Sequence, residues 1–342
     1  MRQRPEENRM PTAAFAMDPE RFPDVYGPRA RARVAARAEV LADPASPDGV
    51  WSAERLAAAP QALRDVEVLF TGWGGPVLDA AALARLPRLR LVLYAAGSVR
   101  RIAGEAFWAA GIPIVTAAHA NAVPVAEFTV AQIVYALKGG WRHVLAARAA
   151  RAAVPAARTP GAYGSTVGVL SLGATGRLVC EMLRGYDVEV LAHDPYAPAP
   201  PPGVRAVGPE ELFATADVVS VHTPLLPGTR GLVGRRLLTS MKPGATLVNT
   251  SRGAVLDEPA LLAVLAERPD LFAVLDVTDP EPPLPGSPLF TLPNVVVTPH
   301  LAGSRGLERR RLGDLVVDEF ESWLRGAPLR RALDPHTYER MA

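Results

Sequence analysis

The sequence predicts an α/β protein with two lobes, each built around a doubly wound parallel sheet. Its 342 residues suffice for about two domains. Of these residues, 49% are hydrophobic and 21% are charged, which is typical of folded globular proteins rather than disordered chains. Short apolar segments alternate with amphipathic segments along most of the chain, the pattern of parallel strands that helices cover on both faces.

The later part of the chain alternates regularly between predicted strands and helices. The predicted strands are the apolar runs TVGVLSLG, VEVLAHD, DVVSVHT, ATLVNT, FAVLDV and NVVVTPH. The segments with helical periodicity between them are ATGRLVCEMLRGY, GPEELFATA, RGLVGRRLLTSM and DEPALLAVLAER. Because a helix separates most of these strands from the next, the strands are expected to run parallel in one sheet.

The earlier part of the chain shows a second α/β set. Its predicted strands are TAAFAM, VEVLFTG, LRLVLYAAG and IPIVTAA, with helices such as LDAAALARL between them. A long apolar helix, PVAEFTVAQIVYALKGG, is expected to link the two lobes. The charged helix RRRLGDLVVDEFESWLRG is expected to return to the first lobe, which makes that lobe discontinuous. The predicted domains are residues 1–120 with 302–342, and residues 121–301.

Charge and cysteine content exclude several classes of protein. The net charge of +2 is small and does not indicate nucleic-acid binding. Cys180, the single cysteine, forms no intrachain disulfide and reads as a packed helical thiol. No spacing of His and Cys suggests a metal site. The N-terminus lacks the apolar core of a signal peptide and no apolar run predicts a membrane span, so we expect a cytoplasmic protein without a membrane partner.

The segment SLGATGR, at the end of one predicted strand, resembles a dinucleotide-binding loop. In place of G-x-G-x-x-G it has Ser171, Gly173 and Gly176. The second glycine of this fingerprint lets the backbone approach a pyrophosphate, and the third lets helix and strand pack closely. Ser171 replaces the first glycine, and a serine can make this turn if its φ is negative. Asp194 ends the next strand, where a carboxylate binds the ribose 2′-hydroxyl and favours NAD over NADP; alternatively, it caps the turn before Pro195.

Further polar groups follow the other predicted strands. They are His222, Thr223 and Pro224 after one strand, Arg252 after the next, Asp276 after a third, and Glu281 and His300 around a fourth. Ligands of open parallel sheets bind at the carboxyl ends of the strands, so these groups should converge. An Arg, a Glu and a His suit hydride transfer to a 2-oxo acid, which needs a cation for the substrate, a proton donor and an acidic neighbour for that donor. The alternative for Arg252 is a solvated surface charge.

The segments NTSRGAVLDEPAL, LDVTDPEPPLPGSPLFTLPNVVVTPHLAGS, VHTPLLPGTRGLV and NAVPVAEFT resemble the D-isomer-specific 2-hydroxyacid dehydrogenase family. The resemblance implies two Rossmann-like lobes, one substrate-binding (catalytic) and one NAD-binding. It places the family's catalytic residues on Arg252, Glu281 and His300, and makes Asp276 the residue that holds the nicotinamide amide. It also implies a homodimer formed through the helix of residues 124–140.

The resemblance extends to the residues expected to contact ligands. Those expected to bind the cofactor NAD are Gly173, Ala174, Thr175, Gly176, Asp194, His222, Thr223, Pro224, Thr229, Thr250, Ser251, Asp276 and Gly303. For the substrate carboxylate, the backbone N–H groups of the loop at Ala96, Gly97 and Ser98 are implied, together with Arg252. No metal is implied.

Four departures from the family pattern concern the ligand sites. Ser171 replaces a glycine, Thr278 stands where an aromatic residue is usual, Phe128 stands where a histidine is common, and AAGSV lacks the acidic residue that usually follows it. The sequence thus predicts an NAD-dependent enzyme that reduces a small 2-oxo acid to a D-2-hydroxy acid, without naming the acid. The alternative is an NADH-sensing co-regulator, a binding protein with the same fold.

Overall fold

The computed structural model describes residues 9–59, 61–156, 158–197 and 199–339. The chain divides into two compact units. Unit 1 contains the residues up to Asn121 together with those from Arg305 onward, and unit 2 contains Ala122–Ser304. The first unit is therefore discontinuous in sequence.

Unit 1 is a six-stranded sheet with helices on both faces. Its strands are β1 (Thr12–Ala16), β2 (Glu39–Val40), β3 (Val68–Thr71), β4 (Leu91–Tyr94), β5 (Ile114–Thr116) and β13 (Ala332–Leu333), in the spatial order β13-β5-β4-β3-β1-β2. All pairs are parallel except β13 with β5. Its helices are α1 (Phe22–Val25), α2 (Pro28–Ala35), α3 (Ala53–Ala58), α4 (Ala80–Arg85), α5 (Glu105–Ala110), α12 (Arg310–Leu324) and α13 (Pro335–Glu339). Two apolar clusters, one on each face, make the sheet doubly wound.

Helix α12 packs within unit 1. Its residues Leu312, Val316, Val317 and Phe320 are fully buried at helical spacing and join the apolar cluster that contains Phe22 of α1. A returning helix thus completes one face of the first sheet.

Unit 2 is a seven-stranded, entirely parallel sheet. Its strands are β6 (Ser165–Leu170), β7 (Val188–His193), β8 (Val204–Ala206), β9 (Val218–Val221), β10 (Thr246–Asn249), β11 (Phe272–Leu275) and β12 (Val295–Val297), in the order β12-β11-β10-β9-β6-β7-β8. The helices are α7 (Gly140–Ala150), α8 (Ala174–Leu183), α9 (Pro209–Thr215), α10 (Arg235–Ser240) and α11 (Glu258–Glu267), preceded by α6 (Ala118–Leu137), which begins in unit 1. The strand order reverses between β6 and β9, the position where doubly wound sheets bind ligands.

Helix α6 begins six residues earlier than predicted and carries Pro124 inside it. By length and composition alone it could cross a membrane, although the sequence was expected to contain no such segment. Its residues Ala126, Val130, Ile133 and Leu137 are buried in an apolar cluster with β6. This packing accounts for an apolar composition within a core helix.

The segment RGLVGRRLLTSM is not one helix, contrary to prediction. Gly231 adopts a positive φ of 65°, which a helix does not accommodate, and Val233 pairs with Leu256 in an isolated bridge. Helix α10 begins only after Gly234, its N-cap. The short strands β2, β8 and β13 have too few apolar residues to be predicted, and each lies at a sheet edge.

Candidate active site

Three neighbouring strands of unit 2 deliver the predicted catalytic groups to one edge of the sheet. Arg252 follows β10, Asp276 directly follows β11, and His300 follows β12. Because β10, β11 and β12 are adjacent and parallel, their carboxyl ends meet at the same edge. The sequence could anticipate this convergence because parallel strands separated by helices all end on one side.

The turn after β10 fixes the position of Arg252. The fully buried Asn249 side chain accepts hydrogen bonds from the backbone N–H and the hydroxyl of Ser251, at 3.0 and 2.8 Å, and donates to the Arg252 carbonyl at 3.0 Å. Gly253 follows, and a Cβ there would overlap the Thr278 backbone carbonyl. The glycine therefore lets the segment after β11 pass directly over the turn, so the turn of Arg252 is held both by Asn249 and by this crossing.

The Arg252 guanidinium is half-buried. Its Nη1 donates to the Ser251 carbonyl at 2.7 Å, and its backbone is extended, with φ −142° and ψ 140°. A guanidinium offers five donors in a planar fork, so the contact to Ser251 through Nη1 does not occupy the whole fork. Such a group can also bind a planar anion.

His300 and Glu281 form a close pair. Imidazole Nδ1 lies 2.6 Å from Glu281 Oε1, and both side chains are nearly half exposed. A carboxylate accepts at this distance, so Nδ1 carries the hydrogen and Nε2 is the nitrogen left for a ligand. His300 has a φ of 51°, an uncommon conformation for a residue other than glycine, and its N–H donates to the carbonyls of Asp276 and Thr298. Backbone hydrogen bonds hold the ring at the end of β12 despite this strain.

Asp276 anchors the chain that returns after His300. The carboxylate is buried and accepts hydrogen bonds from the Thr298 hydroxyl at 2.5 Å, the Leu301 N–H at 2.7 Å and the Ala302 N–H at 2.9 Å. Within the described residues, its first role is therefore to join the ends of β11 and β12. The predicted contact of Asp276 with nicotinamide would use lone pairs that these three donors leave free.

The loop after β6 has the packing that its two glycines predict. A Cβ at Gly176 would overlap the Ser171 carbonyl, so helix α8 can approach the loop only because this residue is glycine. Gly173 is the N-cap of α8, and no heavy atom lies within 4 Å of its Cβ position. The first turn, with Ala174 and Thr175, has no side-chain cap, which leaves backbone donors for an anion.

Ser171 does not make its turn with the negative φ that the sequence allowed. Its φ is 79°, in the left-handed region where glycine is usual, at a cost of about 1–3 kcal/mol for other residues. The reason is the close approach of α8 through Gly176, which requires the same turn whatever residue stands at 171. The side chain is not passive, because its Oγ lies 2.8 Å from Thr223 Oγ1.

Asp194 holds the loop and the following turn together. One carboxylate oxygen accepts from the Leu172 N–H at 2.7 Å and the other from the Tyr196 N–H at 2.8 Å. The second contact is the turn-capping role that the sequence left open. The contact with Leu172 joins the end of β7 to the dinucleotide loop. The carboxylate therefore also faces this loop, as an acceptor for the ribose hydroxyl would.

The remaining predicted cofactor residues serve local structure in this unit. The Thr229 hydroxyl accepts a hydrogen bond from the Leu226 N–H and donates one to the Pro224 carbonyl at 2.5 Å. The Thr250 hydroxyl lies 2.8 Å from that of Thr129 in α6. Gly303 follows Ala302 in the loop after β12.

His222 is buried at the end of β9. Its Nε2 lies 2.9 Å from Ser220 Oγ, and burial lowers its pKa to about 4. The ring is therefore neutral at physiological pH, which favours a packing role over a charged contact. Cys180 is also buried, and burial raises the pKa of its thiol to about 12, which agrees with the packed thiol predicted from the sequence.

The predicted carboxylate loop lies in unit 1, after β4. The Thr116 hydroxyl approaches the carbonyls of Ala96 and Gly97, at 2.9 and 2.5 Å, which turns these carbonyls toward β5. Within the described chain, the N–H groups of Gly97 and Ser98 donate to no protein acceptor. Two adjacent backbone donors are the feature that a carboxylate-binding loop requires.

Comparison with known proteins identifies the family. The sequence profile described as "D-isomer specific 2-hydroxyacid dehydrogenase, NAD binding domain" matches residues 134–302. The (S)-sulfolactate dehydrogenase of Chromohalobacter salexigens is 35% identical over 248 residues, which cover 70% of this chain and 79% of that protein. The chain belongs to the D-isomer-specific 2-hydroxyacid dehydrogenase family.

Other members of the dehydrogenase family extend this comparison. The D-3-phosphoglycerate dehydrogenase of Methanocaldococcus jannaschii is 34% identical over 272 residues, 77% of this chain and 51% of that protein. The chain thus spans about half the length of the phosphoglycerate dehydrogenases that it matches. The crystal structure of a protein from Thermus thermophilus superposes with a TM-score of 0.73 at 29% identity, covering 94% of this chain and 100% of that one.

Within the dehydrogenase family pattern, sequence reasoning missed residues that act through other residues. Asn249 shapes the turn of Arg252, Thr298 binds Asp276, and Thr129 pairs with Thr250. Asn249 had a recognisable signal, because asparagine at a strand end commonly bonds the backbone two residues on. Thr129 had none, because its partner is distant in sequence and only the packing of α6 on the sheet joins them.

Proposed function

We propose that this chain is an NAD-dependent enzyme that reduces a small 2-oxo acid to the D-2-hydroxy acid. The observation that carries the proposal is the His300–Glu281 pair, with 2.6 Å between Nδ1 and Oε1, at the same sheet edge as Arg252. A carboxylate-bound imidazole beside a guanidinium is the set of groups that a carbonyl reduction requires.

The residues of unit 2 fit a dinucleotide. Gly173 leaves open space at the N-terminus of α8, the first turn of that helix is uncapped, and Asp194 faces the loop. When bound, NADH supplies the hydride. Asp194 would accept from the adenosine ribose, and the first turn of α8 would hold the pyrophosphate.

Arg252 would bind the substrate. Its planar fork can grip the carboxylate, or the carboxylate and the 2-oxo oxygen together, through two parallel hydrogen bonds. In unit 1, the N–H groups of Gly97 and Ser98 have no acceptor among the described residues and could by themselves bind a carboxylate. Charge and geometry together would therefore select 2-oxo acids over neutral ketones.

His300 would deliver the proton. With Nδ1–H bound to Glu281, the imidazolium would donate its Nε2 hydrogen to the oxygen that becomes the hydroxyl. Glu281 is thus the positioning residue, and its carboxylate favours the orientation in which Nε2 is free. The family relatives act, by name, on sulfolactate, glycerate and 3-phosphoglycerate, and the corresponding 2-oxo acids are the first substrates to test.

The test is NADH oxidation by the purified chain on a panel of these 2-oxo acids, with glyoxylate and pyruvate added. At least one acid should be reduced. His300→Ala should then lose roughly 10²- to 10⁴-fold in rate and still bind NADH. Glu281→Gln, which keeps the shape of the side chain, should lose less.

Two outcomes would contradict the proposal. A His300→Ala protein within a few-fold of the unmodified chain would remove the proposed proton donor. A chain that binds NADH tightly but reduces no acid on the panel would instead support the binding-protein alternative.

A further inference from the structure

Ser171 stands where the dinucleotide fingerprint has its first glycine, and its side chain has a specific partner. Ser171 Oγ lies 2.8 Å from Thr223 Oγ1, which joins the loop after β6 to the segment after β9. Ser171 makes this contact with a φ of 79°, a conformation that glycine adopts without penalty. The serine is thus strained in a turn for which glycine would suffice.

The backbone donors at the start of this loop are already used. The Ser171 N–H donates to the His193 carbonyl at 2.8 Å, and the Leu172 N–H donates to Asp194 at 2.7 Å. Donors for a dinucleotide phosphate are then the Gly173 N–H, the first turn of α8 and side chains. Ser171 is the hydroxyl nearest in sequence to the N-cap, Gly173, apart from Thr175 inside the helix.

The Ser171 and Thr223 hydroxyls have two hydrogens between them, and the hydrogen bond that joins them uses only one. Thr223 is buried, 3% exposed, and within the described residues its hydroxyl has no hydrogen-bond partner except Ser171. Either hydroxyl can donate in this contact, but only the arrangement in which Thr223 donates to Ser171 leaves no buried hydroxyl hydrogen unpaired. In that arrangement the hydrogen of Ser171, the half-buried member of the pair, is available to a ligand.

We propose that the Ser171 hydroxyl donates a hydrogen bond to a phosphate oxygen of the bound dinucleotide, and that Thr223 orients it. The inference rests on the proposed function, because it requires that the chain binds NAD. It gives the departure from the glycine fingerprint a chemical role: the serine adds a donor that a glycine at this position lacks.

The experiment measures dissociation constants for NADH, ADP-ribose and adenosine, together with thermal stability. Ser171→Gly removes the hydroxyl and relieves the strained turn, whereas Ser171→Ala removes the hydroxyl and keeps the strain. Thr223→Val removes the orienting partner at nearly the same volume. Ser240→Ala, which removes a hydroxyl bonded to the Leu237 carbonyl in the same unit, is the matched control.

Ser171→Gly should melt at or above the temperature of the unmodified chain, yet bind NADH and ADP-ribose roughly 10- to 100-fold more weakly, the usual loss of a hydrogen bond to a charged group. Ser171→Ala should show the same loss of affinity. The affinity of both variants for adenosine, which has no phosphate, should not change. Thr223→Val should weaken the two phosphate ligands by a smaller factor, and Ser240→Ala should bind all three like the unmodified chain.

The outcomes separate this inference from the proposed function. If the unmodified chain binds neither NADH nor ADP-ribose, the proposed function fails. If it binds both and Ser171→Gly binds them equally well, the proposed function stands and the role of Ser171 is wrong. An equal loss for adenosine would place the hydroxyl at the adenosine half of the ligand and would also overturn the phosphate contact.

Discussion

Arg252 is the residue on which substrate recognition should depend most strongly. Arg252→Lys keeps the charge but loses the planar pair of donors. We therefore expect kcat/KM to fall by an amount equivalent to about 3 kcal/mol or more of transition-state stabilisation, while the affinity for NADH is unchanged. The measurement is steady-state kinetics on any acid that the panel shows to be reduced, with NADH binding as the control. Near-native kcat/KM in Arg252→Lys would make Arg252 a surface charge.

Asp194 should determine the choice between NADH and NADPH. Both of its oxygens accept backbone N–H groups, which holds the carboxylate facing the loop, where a 2′-phosphate would meet it. NADH should therefore bind more tightly than NADPH in a fluorescence titration. Asp194→Ala should narrow the difference, and equal affinities in the unmodified chain would refute the role.

His222 should make the stability of the chain depend on pH. Burial lowers its pKa from 6.5 to about 4, so between these values the unfolded chain binds a proton that the folded chain does not. The free energy of unfolding should thus fall as pH drops through this window, and His222 should account for about 2 kcal/mol of the fall between pH 7.5 and pH 5.

The measurement for His222 is urea unfolding at these two pH values. His222→Gln should lose about 2 kcal/mol less than the unmodified chain between pH 7.5 and pH 5. His143→Gln, at a half-buried site on α7, is the matched control and should behave like the unmodified chain. An unchanged pH dependence in His222→Gln would show that its ring is not buried neutral.

The segments that follow β10 and β11 cross at Gly253, and we expect this position to tolerate no side chain. A Cβ at Gly253 would overlap the Thr278 carbonyl, so Gly253→Ala must displace either the Arg252 turn or the segment after β11. We expect a loss of roughly 1–3 kcal/mol in the free energy of unfolding and on the order of 10²-fold in kcat/KM. Gly228→Ala, with no heavy atom within 4 Å of its Cβ position, should change neither.

Comparing Gly253→Ala with Gly228→Ala separates the effect of the crossing from a general effect of replacing glycine. Neither Gly253 nor Gly228 has a positive φ, so strain of the backbone is the same small term in both. If Gly253→Ala folds and turns over like the unmodified chain, the close crossing does not hold Arg252.

At the scale of the whole molecule, the family resemblance implies a dimer through α6. The structure buries no residue of the neighbouring helix α7, although Val144 on it is apolar and 37% exposed, as is Tyr135 on α6 at 39%. Exposed apolar residues grouped on adjacent helices are typical of an interface. We therefore expect a dimer by light scattering, and Val144→Glu should convert it to a monomer.

The control for the dimer is Val77→Glu, at an apolar residue of unit 1 that is 58% exposed. It should leave the dimer intact, because an exposed valine outside the proposed interface has no partner to lose. A monomeric unmodified chain, or a Val144→Glu protein that stays dimeric, would contradict the use of this surface.

The parallel strands and the sheet edge at which the site groups lie can be predicted from the pattern of apolar residues along the chain. A continuous apolar run such as that of β11 is stable only when it is buried on both faces, and the parallel strands of one sheet all end on one side. The positions of Arg252, Asp276 and His300 at that edge follow from the chain alone. The close packing through Gly176 was predicted from the fingerprint spacing for the same local reason.

The contacts that hold those groups in place could not be predicted from the sequence, because they form between segments that meet only in the folded chain. The positive φ of Ser171 results from the approach of α8, and the turn of Arg252 depends on Thr278, which belongs to the segment after another strand. The breaks in the helix predicted over residues 230–241 come from a bridge between Val233 and Leu256. Each of these features is a contact between segments distant in sequence, and periodicity and propensity describe only neighbours along the chain.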